Sequence, residues 1–357
     1  MPAPRAQAGA PLALCLLAMA LADLTCPGGP EACQAEHEDV GLLQSLRQSA
    51  RAAVGGRAPP AEPEPDGSSA SNPCAGTMPT DPAFDRFPCF SDGVVQALEQ
   101  AGGNITEGFV GGMDVGGRKP WNQTFAEGGL CPVNVHWHLG TEHLSMGEFD
   151  ESGSGPAAGH EGDNESVRLG FQCHLYDESD PKFTTPYDWK YCDPSMQVGQ
   201  TYEVHWPHSA AGDCGTPYQY QTPFLDGVFC NAATVQLSPL QDKVGVHGQV
   251  FVIVNDEDYY YPDMMKGMIV EPSSGLGSDI AYYTGSTTGT TVNNEMCSAY
   301  SPITWQVDRK CHLISASSFD KLCADMMSQA DDMSADLHAH GSRELVAAPL
   351  QANNMES

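Results

Sequence analysis

Apolar and polar residues alternate with period two in several short stretches of the chain. Over residues 133–139, Val133, Val135, Trp137 and Leu139 fall on one side. Asn134, His136, His138 and Gly140 fall on the other. That is the pattern of a half-buried strand. Residues 201–206 repeat it, with Tyr202, Val204 and Trp206 set against Thr201, Glu203 and His205. Residues 244–254 and 303–307 read as further strands. Helical spacing is expected over 317–329, near 92–100, and over 38–53, where Leu42, Leu43 and Leu46 line one side. Turn-rich segments such as 147–162 and 177–194 separate the strands. No internal repeat and no regular strand–helix alternation is present, so a β-rich α+β domain with peripheral helices is expected.

The ends of the chain have a different character. Residues 1–22 read as a signal peptide, with Arg5, a short apolar core over 12–22 and the small-x-small pattern Ala20-Leu21-Ala22. Residues 23–73 read as an N-terminal extension ending in a Pro/Gly/Ser-rich linker. The main domain is expected over 74–325, and 326–357 as a polar, poorly ordered tail. No later stretch is long and apolar enough to span a membrane stably. Thirteen cysteines, one of them inside the leader, leave an even twelve and no Cys-x-x-Cys pair. That count reads as disulfides in a secretory protein rather than a thiolate metal site. Sequons at Asn104, Asn122 and Asn164 fit the same route, to the extracellular or periplasmic space or to an organelle lumen such as the chloroplast. The formal net charge of -30, from 46 acidic and 16 basic residues, argues against nucleic acid as a partner. A small-molecule substrate is expected instead, and the oligomeric state is left open.

The alternation gives the polar face of the first strand its chemistry. His136 and His138 are one pleat apart on one side, so both imidazoles can reach a single metal ion. Catalytic zinc uses three protein ligands and keeps a fourth position open. On the second strand His205 is the best third ligand, with His143, His208 and His247 as competitors. His208 lies beyond Pro207, where the strand is expected to break. Glu203 and Asn134 are placed to accept the second ring N–H of ligand histidines and so fix their tautomers.

These residues resemble the zinc region of carbonic anhydrases. Val133-Asn-Val-His-Trp-His-Leu-Gly, followed by Glu142-His143, closely resembles the delta class of marine algae and is similar in spacing to the alpha class. Glu203-Val-His205-Trp206, Val246-His-Gly-Gln-Val-Phe251, Tyr283-Thr-Gly-Ser-Thr-Thr288 and Thr304-Trp305 resemble later alpha-class blocks in the same order. The resemblance implies a single domain on a large, twisted, mostly antiparallel sheet. It implies reversible hydration of carbon dioxide by a zinc-bound hydroxide, with cobalt or cadmium able to occupy the same ligands. It implies His136, His138 and His205 as ligands, and Glu142 and Thr288 as the relay that orients the hydroxide. Thr290 and Thr291 stay open as alternatives to Thr288. Val246 and Trp305 are implied in the substrate pocket. No proton-shuttling histidine is evident, because residues 74–135 contain none. That leaves His208 or a water chain.

Two other classes fit part of this pattern. His136-x-His138-x-x-x-Glu142 has the ligand spacing of a cupin oxidase. However, Leu130 stands where a cupin glycine belongs, and Phe251 stands where the later His-x-x-x-Asn would end. A secreted binding protein that keeps the fold without activity is the other alternative.

Overall fold

The computed structural model describes residues 71–77, 102–114, 117, 119–156, 168–235, 242–286, 302–331 and 333–354. All of these residues belong to one compact unit, Ala70–Ser357. The leader, the helices expected over 38–53 and 92–100, Asn164, and the loop holding Thr288, Thr290 and Thr291 lie outside the described residues.

In chain order the strands are β1 (Cys131–Pro132), β2 (His136–Leu139), β3 (Phe149–Asp150), β4 (Gln172–Cys173), β5 (Thr201–Ser209), β6 (Val244–Val254), β7 (Ile280–Ser286), β8 (Pro302–Ser315) and β9 (His340–Gly341). Helix α1 (Phe224–Phe229) precedes β6, and helix α2 (Ala316–Met327) follows β8 directly. One seven-stranded sheet runs β7-β8-β6-β5-β2-β9, with β1 also paired to β5; β3 and β4 form a separate pair. The sheet is mixed. β1–β5, β2–β5, β5–β6 and β7–β8 are antiparallel, whereas β6–β8 and β2–β9 are parallel.

The period-two pattern sorts the sheet into two faces. Trp137, Tyr202, Val204, Trp206, Phe251 and Ile253 pack on one face against Phe319, Leu322, Cys323 and Met326 of α2. Those four helix residues recur at the spacing of one helical stripe. Ser315 caps the helix by accepting from the Ser318 backbone N–H. On the other face Val246, Val250, Val252, Ile303, Trp305 and Val307 form a second core. The histidine side of β2 and β5 opens onto this face.

Two departures from the expected strands have backbone causes. The stretch 133–139 is not one strand. Pro132 pairs with His208 and His136 with His205, so one extra residue bulges between β1 and β2. Strand β5 does not break at Pro207 but continues to Ser209. The Pro207 carbonyl accepts from Val133 N–H at 2.8 Å. The ring nitrogen therefore faces the bulge, where no ladder donor is required. Residues 333–354, expected as a loose tail, are instead joined to the domain: β9 pairs in parallel with β2 and buried Met333 joins the core beneath α2.

Among the described residues four disulfides join Cys74–Cys230, Cys131–Cys214, Cys173–Cys311 and Cys192–Cys323. They mark an oxidising, secretory environment. No helix among the described residues is long and apolar enough to cross a membrane.

Candidate metal centre

The β2–β5 register builds the site. His136 lies opposite His205, and His138 lies opposite Glu203. Ring centroids are 5.2 Å apart for His136–His138, 5.5 Å for His136–His205 and 4.8 Å for His138–His205. One nitrogen from each ring falls in a group whose members all lie within 4.8 Å of one another. The three residues are buried, with His205 wholly so.

His136 and His138 each have one ring nitrogen hydrogen-bonded and the other left over, whereas His205 has neither nitrogen hydrogen-bonded. Asn134 Nδ2 donates to the Gln221 carbonyl at 2.7 Å, which turns its Oδ1 toward His136 Nδ1 at 2.8 Å. His136 Nδ1 therefore carries the proton and Nε2 keeps the lone pair. His138 Nδ1 faces the Gly341 carbonyl at 3.2 Å and Glu142 Oε1 at 3.3 Å, both acceptors, and its buried Nε2 has no partner. His205 Nε2 lies 3.0 Å from Glu203 Oε1, close enough for charge attraction although the angle is poor for a hydrogen bond; its buried Nδ1 has no partner. Burial, followed by the proximity of neighbouring histidines, holds His136 and His138 well below the usual imidazole range. Burial also lowers His205, against the opposing pull of Glu203. Three neutral imidazoles with converging, unpartnered nitrogens fit a divalent transition metal, for which a ligand histidine must be deprotonated.

Glu203 is the hub beneath this triad. Its Oε2 accepts from the backbone N–H of Glu142 at 2.6 Å and of His143 at 3.3 Å, and its Oε1 bonds His143 Nδ1. Burial alone would raise its pKa, but the His143 and His205 rings outweigh that and hold the carboxyl well below the usual range. His143 Nε2 accepts from the Tyr283 hydroxyl at 2.6 Å. Tyr283 stays protonated because burial, and then the Glu203 and Glu142 charges, push it up. His143, Glu203 and His205 also come close enough for an ion. Yet both His143 nitrogens are already spent, so that group is a hydrogen-bonded support. His143 is thereby removed as a third ligand.

The other predicted residues divide between the faces. Glu142 is fully buried beside His138. Its Oε1 accepts from Arg343 N–H at 2.7 Å, and its Oε2 has no partner among the described residues. Burial and the Glu203 charge push its carboxyl well above the usual range. Val246 and Trp305 pair in register on the histidine face, and the Trp305 ring lies 5.3 Å from His205. Thr288 lies outside the described residues.

His208 and His247 point the other way. They pack 4.6 Å apart behind the sheet, with Phe125 stacked on His247 at 4.4 Å. Neither reaches the triad, and His208 is not placed to shuttle its protons. Burial pushes His247 down to about 4, and burial with the nearby His247 lowers His208 well below the usual value. Both histidines bind a proton more readily unfolded, near pH 6.5, than folded. Stability is therefore full above about pH 6.5 and falls as the pH drops toward 4. His247 alone accounts for about 3 kcal/mol of that loss. Urea unfolding at pH 7, 5.5 and 4 is expected to show this decline, and His247→Gln is expected to make it shallower.

One residue at the site escaped the sequence reading. His340 stacks on His136 at 5.3 Å and lies 5.7 Å from His138. Its Nε2 bonds Asp336 Oδ1 at 3.2 Å, and its side chain is 35% exposed, unlike the buried triad. The signal was present as a second His-x-His, His338-Ala339-His340, in a segment read as tail.

No curated protein matches the chain. Residues 127–318, just over half of it, match the family described as Delta carbonic anhydrase. The matched segment contains His136, His138 and His205 with their supports Asn134, Glu142, His143 and Glu203. A sheet-borne histidine triad and this match agree, and the chain belongs to the delta carbonic anhydrase family of enzymes.

Proposed function

We propose that the protein hydrates carbon dioxide reversibly to bicarbonate and a proton, at a zinc ion held by His136 Nε2, His138 Nε2 and His205 Nδ1. The observation that carries this reading is the set of three buried, neutral imidazoles: His136 and His138 each have Nδ1 facing an acceptor and Nε2 unspent, and His205 has Glu203 Oε1 3.0 Å from its Nε2 and an unspent Nδ1. When bound, zinc supplies Lewis-acid activation of water, for which carbonic anhydrases are the standing example. The protein's own groups do the rest. Asn134, the Gly341 carbonyl and Glu203 hold the three tautomers. Glu142 Oε2 accepts from a loop hydroxyl, assigned to Thr288, so that the hydroxyl's own acceptor side faces the reacting water. Val246 and Trp305 supply an apolar wall beside His205 for an uncharged substrate. Cobalt or cadmium fits the same imidazole donors. Residues 1–22 direct the chain into the secretory route, and the catalytic domain begins near residue 74.

The cupin reading is weaker on two counts. Glu142 turns its Oε1 to the Arg343 amide rather than joining the triad. The sheet is an open path from β7 to β9. The test is metal analysis with stopped-flow carbon dioxide hydration: one zinc per chain and a rate well above buffer are expected. A zinc-loaded protein no faster than buffer would leave a non-catalytic binding protein. Glu142→Gln is expected to keep its zinc and lose about 10²-fold in kcat, the scale of a misaligned reactant. Unchanged kcat would remove Glu142 from the relay.

A further inference from the structure

The C-terminal segment reaches back over the metal centre, well beyond the family-matched residues 127–318. Two of its backbone groups end on the site. The Gly341 carbonyl faces His138 Nδ1 at 3.2 Å, and the Arg343 amide donates to Glu142 Oε1 at 2.7 Å. Among the described residues, His138 Nδ1 lies near no other acceptor than Gly341 and Glu142. Both orienting contacts of this ligand thus depend on residues 341–343.

The segment is fastened rather than laid on. Ser342, 3% exposed, donates its hydroxyl to the Leu139 carbonyl at the end of β2 at 2.7 Å. Its backbone N–H donates to the Arg168 carbonyl at 2.8 Å. The Arg168 guanidinium returns to the Arg343 carbonyl at 2.8 Å and the Ser342 carbonyl at 3.4 Å. Gly170 allows this closeness, because a Cβ there would lie 2.1 Å from the Thr141 carbonyl oxygen and 2.5 Å from Ser342 Oγ.

We infer that residues 340–343, locked by Ser342 and Arg168, form a clasp that positions His138 and Glu142 and sets the metal affinity of the site. Ser342 and Arg168 are positioning residues. They act through the Gly341 carbonyl and the Arg343 amide. The inference rests on the metal reading of the triad. Losing an outer hydrogen-bond partner of a ligand costs about 10–100-fold in metal affinity. The clasp supplies its contacts from the backbone, so only its displacement removes them.

The experiment compares wild type, Arg168→Ala/Ser342→Ala, Arg168→Ala alone and Ser209→Ala. Zinc affinity is read by competition with a chromophoric chelator, and geometry by the visible spectrum of the cobalt-substituted protein. Ser209 is the control, a buried serine whose hydroxyl donates to the Val228 carbonyl at 2.6 Å, away from the triad. The double variant is expected to bind zinc at least about 10-fold more weakly and to change the cobalt spectrum, while Ser209→Ala changes neither. Arg168→Ala alone, at an exposed side chain, is expected to shift both in the same direction and serves if the double variant does not fold. Wild-type affinity and spectrum in the clasp variants would overturn the inference, as would an equal loss in Ser209→Ala. A wild type that binds neither zinc nor cobalt would instead refute the metal reading.

Discussion

Alanine at His205 is expected to strip the metal from the protein and, with it, the hydration activity. Structural zinc sites hold their ion with about 10–16 kcal/mol, and on that scale one ligand among three or four carries roughly 3–4 kcal/mol. That is about two to three orders of magnitude in affinity. Among the described residues no other imidazole has a nitrogen aimed at the vacated position. His143 has both ring nitrogens bonded, to Glu203 and Tyr283. His208 and His247 lie behind the sheet with Phe125. His340 is the nearest other imidazole, but its Nε2 is turned to Asp336. Metal content after dialysis, together with stopped-flow hydration, checks the prediction. Stoichiometric zinc and wild-type turnover in His205→Ala would place the third ligand elsewhere, with His340 first to be tested. His136→Ala and His138→Ala are expected to behave alike, because all three nitrogens converge on one point.

The triad was legible in the sequence because strand periodicity is local. Two histidines one pleat apart must share a face, and Glu203 and His205 must share another, wherever the strands lie. The register that joins them was not legible. Which residue of β5 stands opposite His136 depends on the one-residue bulge before β2 and on Pro207 being accommodated there. A rule about proline in strands missed that, since it takes no account of which way the missing N–H points. Strand 244–254 and helix α2 were readable because each carries a long, unbroken pattern, and the helix ends differ by only a residue or two. Strand β9 has two residues and no period of its own. Its place beside β2 is fixed by Ser342, Arg168 and the bonding needs of His138, none of which is local in sequence. Disulfide pairing is equally non-local, and the twelve cysteines gave only the expectation that they pair.

Glu203→Ala is expected to be the most destabilising single change at the site. The carboxylate is wholly buried and satisfies two backbone amides and the His143 ring, with His205 alongside. Removing it leaves the Glu142 and His143 N–H groups and His143 Nδ1 without their acceptor in a dry interior. Breaking a buried charged network in this way costs about 3–5 kcal/mol. In a domain of this size that lowers Tm by roughly 6–20 °C. Glu203→Gln keeps the shape and one acceptor oxygen, so it is expected to lose less. The comparison is made on metal-free protein, so that lost zinc does not add to the loss. The pH dependence identifies the cause. A carboxyl held well below its usual range contributes stability that is complete above the unfolded pKa, near 4.3. That contribution disappears as the pH falls toward the folded pKa. The gap between wild type and Glu203→Ala is therefore expected to stay constant from pH 7 to about 5 and to narrow below about 4. The loss from His208 and His247 comes earlier, between about pH 6.5 and 4, and is common to both proteins. A gap that stays constant down to pH 3 would mean that Glu203 acts by filling space rather than by its charge. Its support of His205 would then be steric.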